Sequence, residues 1–387
     1  MDSRQTYVEL MSTFCRILPK TAYGDVRRLM TLAWAITGLT SSHTVSLTDW
    51  AEVVLSPAQY PASRVRRFAR WLNNPAIQWD KLYPPLIKGT LQDWQAGERV
   101  YVALDTSVLG PFVLIRASLV YRGRALPLAW RVICHASATV GFGSYESVLK
   151  QVQTLLPPGL VVTLLADRGF LHARLIRFAR QQGWHYRIRM TGDTLVHLAN
   201  HQILSVAQLA PPTGHACFHH YVSIFGQKLG PLHLALGRPE DNPKDPWFIV
   251  SDELTDLSTF DEFGLRFDIE ENFLDDKSNG FQVQASRLNS PEALERLFLV
   301  LAIATLHFTS VGVGVVHAKL RRWVDTHWDR GMSYLKIGWK WLRQQHERGW
   351  PTFALFRLDP SPDPEPAMAS RRKAAIPKRQ WVVSFKC

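Results

Sequence analysis

The sequence predicts an α/β fold: a mixed sheet flanked by helices, with a β-rich insertion and a helical N-terminal domain. Three observations predict it. Between Arg99 and Met190 the apolar patterns follow the order three strands, helix, strand, helix, strand, which describes a mixed sheet. Residues 1–95 instead carry apolar side chains at helical spacing together with many arginines. Residues 191–245 are turn-rich and His-rich, with short strand patterns of their own.

The N-terminal segments 4–18, 24–38 and 46–55 read as helices. The run from Ser63 to Leu72 places Arg64, Arg66, Arg67 and Arg70 along one side of a helix, with Val65, Phe68 and Leu72 facing inward and Asn73-Asn74-Pro75 as the stop. It is either a solvated basic helix or a DNA-contacting one. The first strand, 100–104, is followed by strands at 111–121 and 126–133 joined through Arg122-Gly123-Arg124. A helix fits 143–156, a strand 160–166, a helix 170–182 and a strand 184–190. Strands at 216–226 and 231–237 belong to the insertion, and Trp247 opens a return strand. One strong helix is expected over 259–277, with further helices at 291–309 and 314–346. The division that follows is 1–95, then a core of 96–190 and 246–345 interrupted by 191–245, then a basic, Pro-containing tail at 346–387 that includes Arg371-Arg372-Lys373 and Lys378-Arg379.

Lys and Arg number 45 against 33 Asp and Glu, for a formal charge of +12. That surplus favours a polyanionic partner, because cationic side chains displace counterions from phosphates. Cys15, Cys134, Cys217 and Cys387 form no CxxC pair and read as reduced thiols of a cytoplasmic protein. The segment MDSRQTYVELMSTFCRILPK lacks the basic start and apolar run of a signal peptide. The apolar stretch from Leu297 to Val316 approaches the roughly 20 residues of a membrane span. His307, Thr309, Ser310, Gly312 and Gly314 interrupt it, so it is read as a buried helix ending near Thr309, with no membrane partner. His215, Cys217 and His219 would share a strand face as zinc ligands do, but no fourth ligand accompanies them.

Asp105 and Asp167 each follow an apolar strand run, where ligand sites of α/β sheets gather. A carboxylate there needs a reason, because burying its charge is costly. Capping the next helix is one such reason for Asp167. In the expected helix over 259–277, a step of about 100° per residue puts Glu270 near 40°, Lys277 near 20° and Phe263 near 60° from Arg266. This stripe is either a carboxylate metal ligand flanked by phosphate-binding cations or an ordinary ion-paired face with Arg266 and Glu270 four apart. Three carboxylates suit two Mg2+ or Mn2+ ions, which prefer oxygen ligands and support in-line displacement at phosphorus.

These residues resemble the catalytic signature of the DDE transposases of bacterial insertion sequences, in the group called the insertion-sequence-four family. Its hallmark is Tyr, two residues, Arg, three residues, Glu, six residues, Lys. Arg266, Glu270 and Lys277 match that spacing, which chooses Glu270 over Glu271, and the contexts of Asp105 and Asp167-Arg168-Gly169-Phe170 resemble the two other acidic motifs. The resemblance runs from the basic helix near Arg64 to about residue 345 and implies a ribonuclease-H-like core. It implies catalytic, metal-holding acids at Asp105, Asp167 and Glu270, and DNA contacts at Arg168, Arg266 and Lys277 and through the basic helix of Arg64, Arg66, Arg67 and Arg70. It implies two Mg2+ (or Mn2+), double-stranded transposon-end and target DNA as partners, and a homodimer in the paired complex. The setting it implies is a bacterial cytoplasm, at the nucleoid when bound to DNA. Trp247 is either a core residue or, as the resemblance implies, a stacking surface for a flipped base. One departure is Phe263, at the Tyr position: the resemblance implies a DNA contact there, but Phe keeps the ring without the hydroxyl that could contact a phosphate, and so is the foothold for an impaired copy. The activity implied is DNA cleavage and strand transfer; the alternatives are a ribonuclease-H-like nuclease that does not join, or a DNA-binding derivative with impaired catalysis.

Overall fold

The computed structural model describes residues 3–56, 58–226, 229–277, 280–367 and 381–383. The chain starts with helices α1 (Ser3–Ile17), α2 (Lys20–Tyr23), α3 (Val26–Ser42), α4 (Leu47–Val53), α5 (Pro61–Leu72) and α6 (Trp79–Thr90). Their starts follow capping chemistry: Asp25 accepts from the Arg27 N–H, Ser46 accepts from the Asp49 N–H, and Pro61 opens α5. Sequence reading gives α6 no separate place, because Pro84 and Pro85 lie inside it. An interior proline costs a helix about 3 kcal/mol; burial of Leu82, Tyr83, Leu86 and Ile87 offsets that cost here.

Strands β1 (Arg99–Leu109), β2 (Phe112–Tyr121) and β3 (Arg124–Cys134) form an antiparallel meander, followed by α7 (Phe142–Leu155), β4 (Val161–Ala166), α8 (Ala173–Gln181) and β5 (His185–Arg189). β4 lies parallel to β1 and β5 parallel to β4, so the order through the core is β3-β2-β1-β4-β5. The insertion contributes β6 (Leu195–His197), β7 (Ile203–Ser205), α9 (Val206–Leu209), β8 (His215–Ile224) and β9 (Leu229–Gly237). The return strand β10 (Trp247–Ser251) pairs antiparallel with both β5 and β9, so the insertion extends the central sheet. The fold is thus the expected mixed sheet flanked by helices with a β-rich insertion.

Helices α10 (Ser258–Gly264), α11 (Phe267–Lys277), α12 (Pro291–His317) and α13 (Tyr334–Arg348) follow, and β11 (Val382–Val383) adds to β8. Two expectations are corrected here. The single helix over 259–277 is two, parted at Leu265–Arg266. The apolar helix does not end near Thr309 but runs to His317, and α13 begins only at Tyr334. The glycines taken as interruptions mark a close helix crossing. A Cβ on Gly312 would lie 2.0 Å from the Tyr334 carbonyl oxygen, and one on Gly338 would lie 1.8 Å from that of Phe308. α12 is long and apolar enough to cross a membrane, yet 94% of that stretch is buried against the rest of the chain. One apolar cluster joins the N-terminal helices, the sheet and α12–α13. A second, of Ala216, Ala235, Ile249, Phe260 and Phe263, lies between the insertion and α10.

Candidate active site

Strand register brings the first two acids together. β1 and β4 run parallel with Leu104 opposite Ala166, so Asp105 on β1 and Asp167, just past the end of β4, are the next residues along. Asp105 is not at the end of β1, which continues to Leu109; it stands where β1 parts from β4. Asp167 is not a helix cap. It makes no capping hydrogen bond, and α8 is capped by the ring of His172, which accepts from the Arg174 N–H. The Asp167 Oδ1 is buried without a hydrogen-bond partner, 3.8 Å from an Arg189 nitrogen. Arg189 itself donates to Asp245 and to the Pro246 carbonyl, tying this corner to the segment before Trp247.

The third acid arrives on α11, which two arginines clamp to the sheet. Arg116, on β2 directly opposite Asp105, is 1% exposed. It donates to Asn272 Oδ1 at 2.5 Å and to Asp276 Oδ2 at 2.6 Å, between the rings of Phe273 and Phe298. Arg124 donates to Asp275 at 3.2 Å and pairs with Glu271 at 3.6 Å. Glu271 therefore faces Arg124, and Glu270 is the carboxylate turned to the strand ends. This clamp escaped sequence reading, although an arginine inside the apolar run of β2 was its signal.

Arg266 completes the arrangement. Its guanidinium donates to Asp105 Oδ2 at 2.9 Å through one nitrogen and to Glu270 Oε1 at 2.8 Å through the other. Burial pushes the Asp105 carboxyl up to about 6; Arg266 and the Thr106 N–H oppose that shift, while the charges of Glu270 and Asp167 add to it. Glu270 and Asp167 are thus close enough for their charges to bear on Asp105. The three acids are nevertheless wider apart than a closed ligand set: among the described residues, the group whose ligand atoms all lie within 4.8 Å of one another is His185, Asp252 and Glu253. That group is already an ion-pair network, with Glu253 held by Arg99 and Arg187 and brought down to about 2, chiefly by Arg99. The donor chemistry at the strand ends fits hard divalent cations: all-oxygen ligands, a buried Asp167 oxygen that makes no hydrogen bond and an acid whose charged form is disfavoured by burial and by neighbouring acids.

Several expected DNA contacts are placed otherwise. Arg266 is 3% exposed and bridges two acids, so it presents no open fork to a phosphate. Phe263 is fully buried, edge-on to Trp247 and 5.7 Å beneath the Arg266 guanidinium; it is a packing residue and cannot touch DNA. Arg67 turns inward and donates to Thr31, leaving Arg66 and Arg70 as the exposed pair on α5 and Arg64 half-buried. Arg168 is exposed beside Asp167. Lys277, half-buried, ends α11, about 10 Å along the axis from Glu270 at 1.5 Å per residue. Trp247 packs against Phe260, Phe263 and Phe267 and stays partly exposed. The basic groups Arg371-Arg372-Lys373 and Lys378-Arg379 lie outside the described residues.

Fold and site together define an α/β protein with acids from two adjacent strands and one clamped helix converging at one end of its sheet. Residues 135–306, just under half of the chain, match the family model described as a transposase DDE domain. The matched segment contains Asp167 and Glu270 and begins after Asp105. Among solved structures, a cryo-EM structure of a piggyBac transposase synaptic complex with hairpin DNA is similar at 10% identity over 90% of this chain and 79% of that one, with a TM-score of 0.43. No curated protein sequence matches the chain.

Proposed function

We propose that this protein is a DDE transposase of the insertion-sequence-four type, cutting DNA at transposon ends and joining the freed 3′-hydroxyl to target DNA. The observation that carries the reading is the meeting of Asp105 and Asp167 through strand register, with Glu270 tied to Asp105 by Arg266. Asp105, Asp167 and Glu270 would hold two Mg2+ (or Mn2+) ions, which supply activation of the attacking oxygen and stabilisation of the leaving one. Arg168, beside the second acid, and Lys277, on the Glu270 helix, meet phosphates near the cleavage point. Arg66 and Arg70 hold the DNA backbone from the N-terminal region, 1–95, and the exposed part of Trp247 receives an unstacked base. Two copies pair two ends in the active complex.

The test is a cleavage and strand-transfer assay with DNA carrying the element's own ends. Asp105→Ala, Asp167→Ala and Glu270→Ala each abolish cleavage and retain end binding. Full strand transfer by any of them overturns the triad. Cleavage products without joined products from the unaltered chain would assign a nuclease instead. Metal alone gives a second readout: at a hundredfold excess over its dissociation constant, Mn2+ stabilises the unaltered chain by about 2.7 kcal/mol, and Asp167→Ala removes that gain.

A further inference from the structure

The connection between α12 and α13, residues 318–333, is held by a buried ionic knot and displays an indole to solvent. Arg321 donates to Glu365 at 2.8 Å, to Asp325 at 3.2 Å and to the carbonyls of His327 and Trp328 at 2.9 and 2.7 Å. Asp325, with no exposure, pairs with the His327 ring at 2.6 Å and accepts from the Gly331 N–H at 3.0 Å. Arg330 donates to the Met332 carbonyl and to Asp363. Burying so many charges has a large desolvation cost, and such a network serves to fix geometry more than to add stability. Here it fixes Trp328, which at 77% exposure is the most exposed large apolar side chain among the described residues.

One cation lies directly on Trp328, and a groove carrying two more opens at Trp323, the chain neighbour of Arg322. The Arg322 guanidinium lies over the Trp328 ring, 4.5 Å from the centroid. Trp323, 51% exposed, stacks on Trp341 and lines a groove of 640 Å³ together with Lys340 and Arg343. Lys319, Arg322, Lys340 and Arg343 are all exposed, with Glu347 the acidic exception at the groove. A flat, presented ring under a guanidinium, with a cationic groove opening at the next residue, Trp323, matches one unstacked base followed by a strand of phosphates.

We propose that Trp328 and Arg322 form a stacking platform for an unpaired nucleobase of a DNA strand, with its phosphates along Lys319, Lys340 and Arg343; this rests on the reading of the chain as a DNA-processing enzyme.

The test is fluorescence anisotropy with labelled oligothymidine and with a blunt duplex of equal length, on the full chain in EDTA. Trp328→Ala weakens oligothymidine binding about tenfold, the loss of one stacked base, and leaves duplex binding unchanged. Trp328→Phe restores most of the loss, and Lys340→Ala lowers the salt slope by about one. Unchanged oligothymidine binding overturns the proposal, as does an equal loss on both DNAs. A shift of Trp328→Ala in oligomeric state with unchanged affinity also overturns it and assigns the surface to a second copy. If the unaltered chain binds neither DNA, the underlying reading fails as well; if it binds and Trp328→Ala matches it, only the platform is lost.

Discussion

Arg116→Met tests whether a buried ion pair sets the position of Glu270. Arg116 and Asp276 are 1% and 4% exposed, and their contact is 2.6 Å. Removing the arginine strands the Asp276 carboxylate in the core, where breaking a buried pair costs about 3–5 kcal/mol. The Asp276 carboxyl is already pushed up by burial, held back chiefly by Arg116, so the variant takes up a proton there instead of keeping an unpaired charge. Urea denaturation at pH 7 should show a loss within that range. The double variant Arg116→Met with Asp276→Leu removes both charges and should recover most of the stability, because well-packed apolar residues replace such pairs at little cost. Cleavage should not recover with it. With Arg124 the remaining clamp, α11 is held less closely, and a displacement of about 1 Å at a reacting group costs on the order of a hundredfold in rate. A single variant losing under about 1 kcal/mol, outside that expected range, would refute the energetic reasoning. A double variant that regains full cleavage would refute the positional part.

Arg266→Lys keeps the charge but meets one acid instead of two, so metal-free stability should fall by about 1.5–3 kcal/mol, one charged hydrogen bond; wild-type stability in calorimetry contradicts the bridging role. Gly312→Ala forces a methyl onto the Tyr334 carbonyl, and such overpacking costs about 1–3 kcal/mol or more; an unchanged denaturation midpoint would mean the α12–α13 crossing is looser than described. Asp105 has a folded value raised from 3.8 to about 6, so its contribution is fully present below about pH 4 and is lost as pH rises through 6. In EDTA, Asp105→Asn should therefore be more stable than the unaltered chain at pH 8, by up to about 3 kcal/mol for a shift of that size, and the difference should vanish near pH 4; a pH-independent difference rules out the titration as its cause.

The sheet was legible because its strands are local patterns: the apolar run ending at Ala166 and the meander through Arg122-Gly123-Arg124 need no distant partner to be read. The candidate acids stood out by their places after strand runs and by the resemblance of the Arg266, Glu270 and Lys277 spacing to a family motif; in the fold Glu271 pairs with Arg124 and Glu270 with Arg266. What stayed hidden depends on which side of an element meets another. The stripe drawn over 259–277 assumed one continuous helix, and the break at Leu265–Arg266 removes that premise. Arg266 still reaches Glu270, because the Ile269 N–H bonds to the Arg266 carbonyl and keeps the turn helical in shape. Arg67 was placed on the basic face with Arg66 and Arg70, yet Thr31 on α3 draws it inward. Gly312 reads as a helix breaker until α13 is seen to cross there.

Phe263 shows how the same residue changes meaning with context. In sequence it is a phosphate contact that has lost its hydroxyl, and so the foothold for an impaired enzyme. In the fold it is a fully buried ring among Ala216, Ala235, Ile249 and Phe260, with Trp247 against its edge. A hydroxyl buried at such a position needs a partner or costs about 1–3 kcal/mol. Phenylalanine is thus the residue this packing favours. The same ring supports the site indirectly: Arg266 lies over Phe263 and Phe267, 5.7 and 4.7 Å from their centroids. These faces steady the guanidinium that joins Asp105 to Glu270, so Phe263 belongs to the framework of the acids.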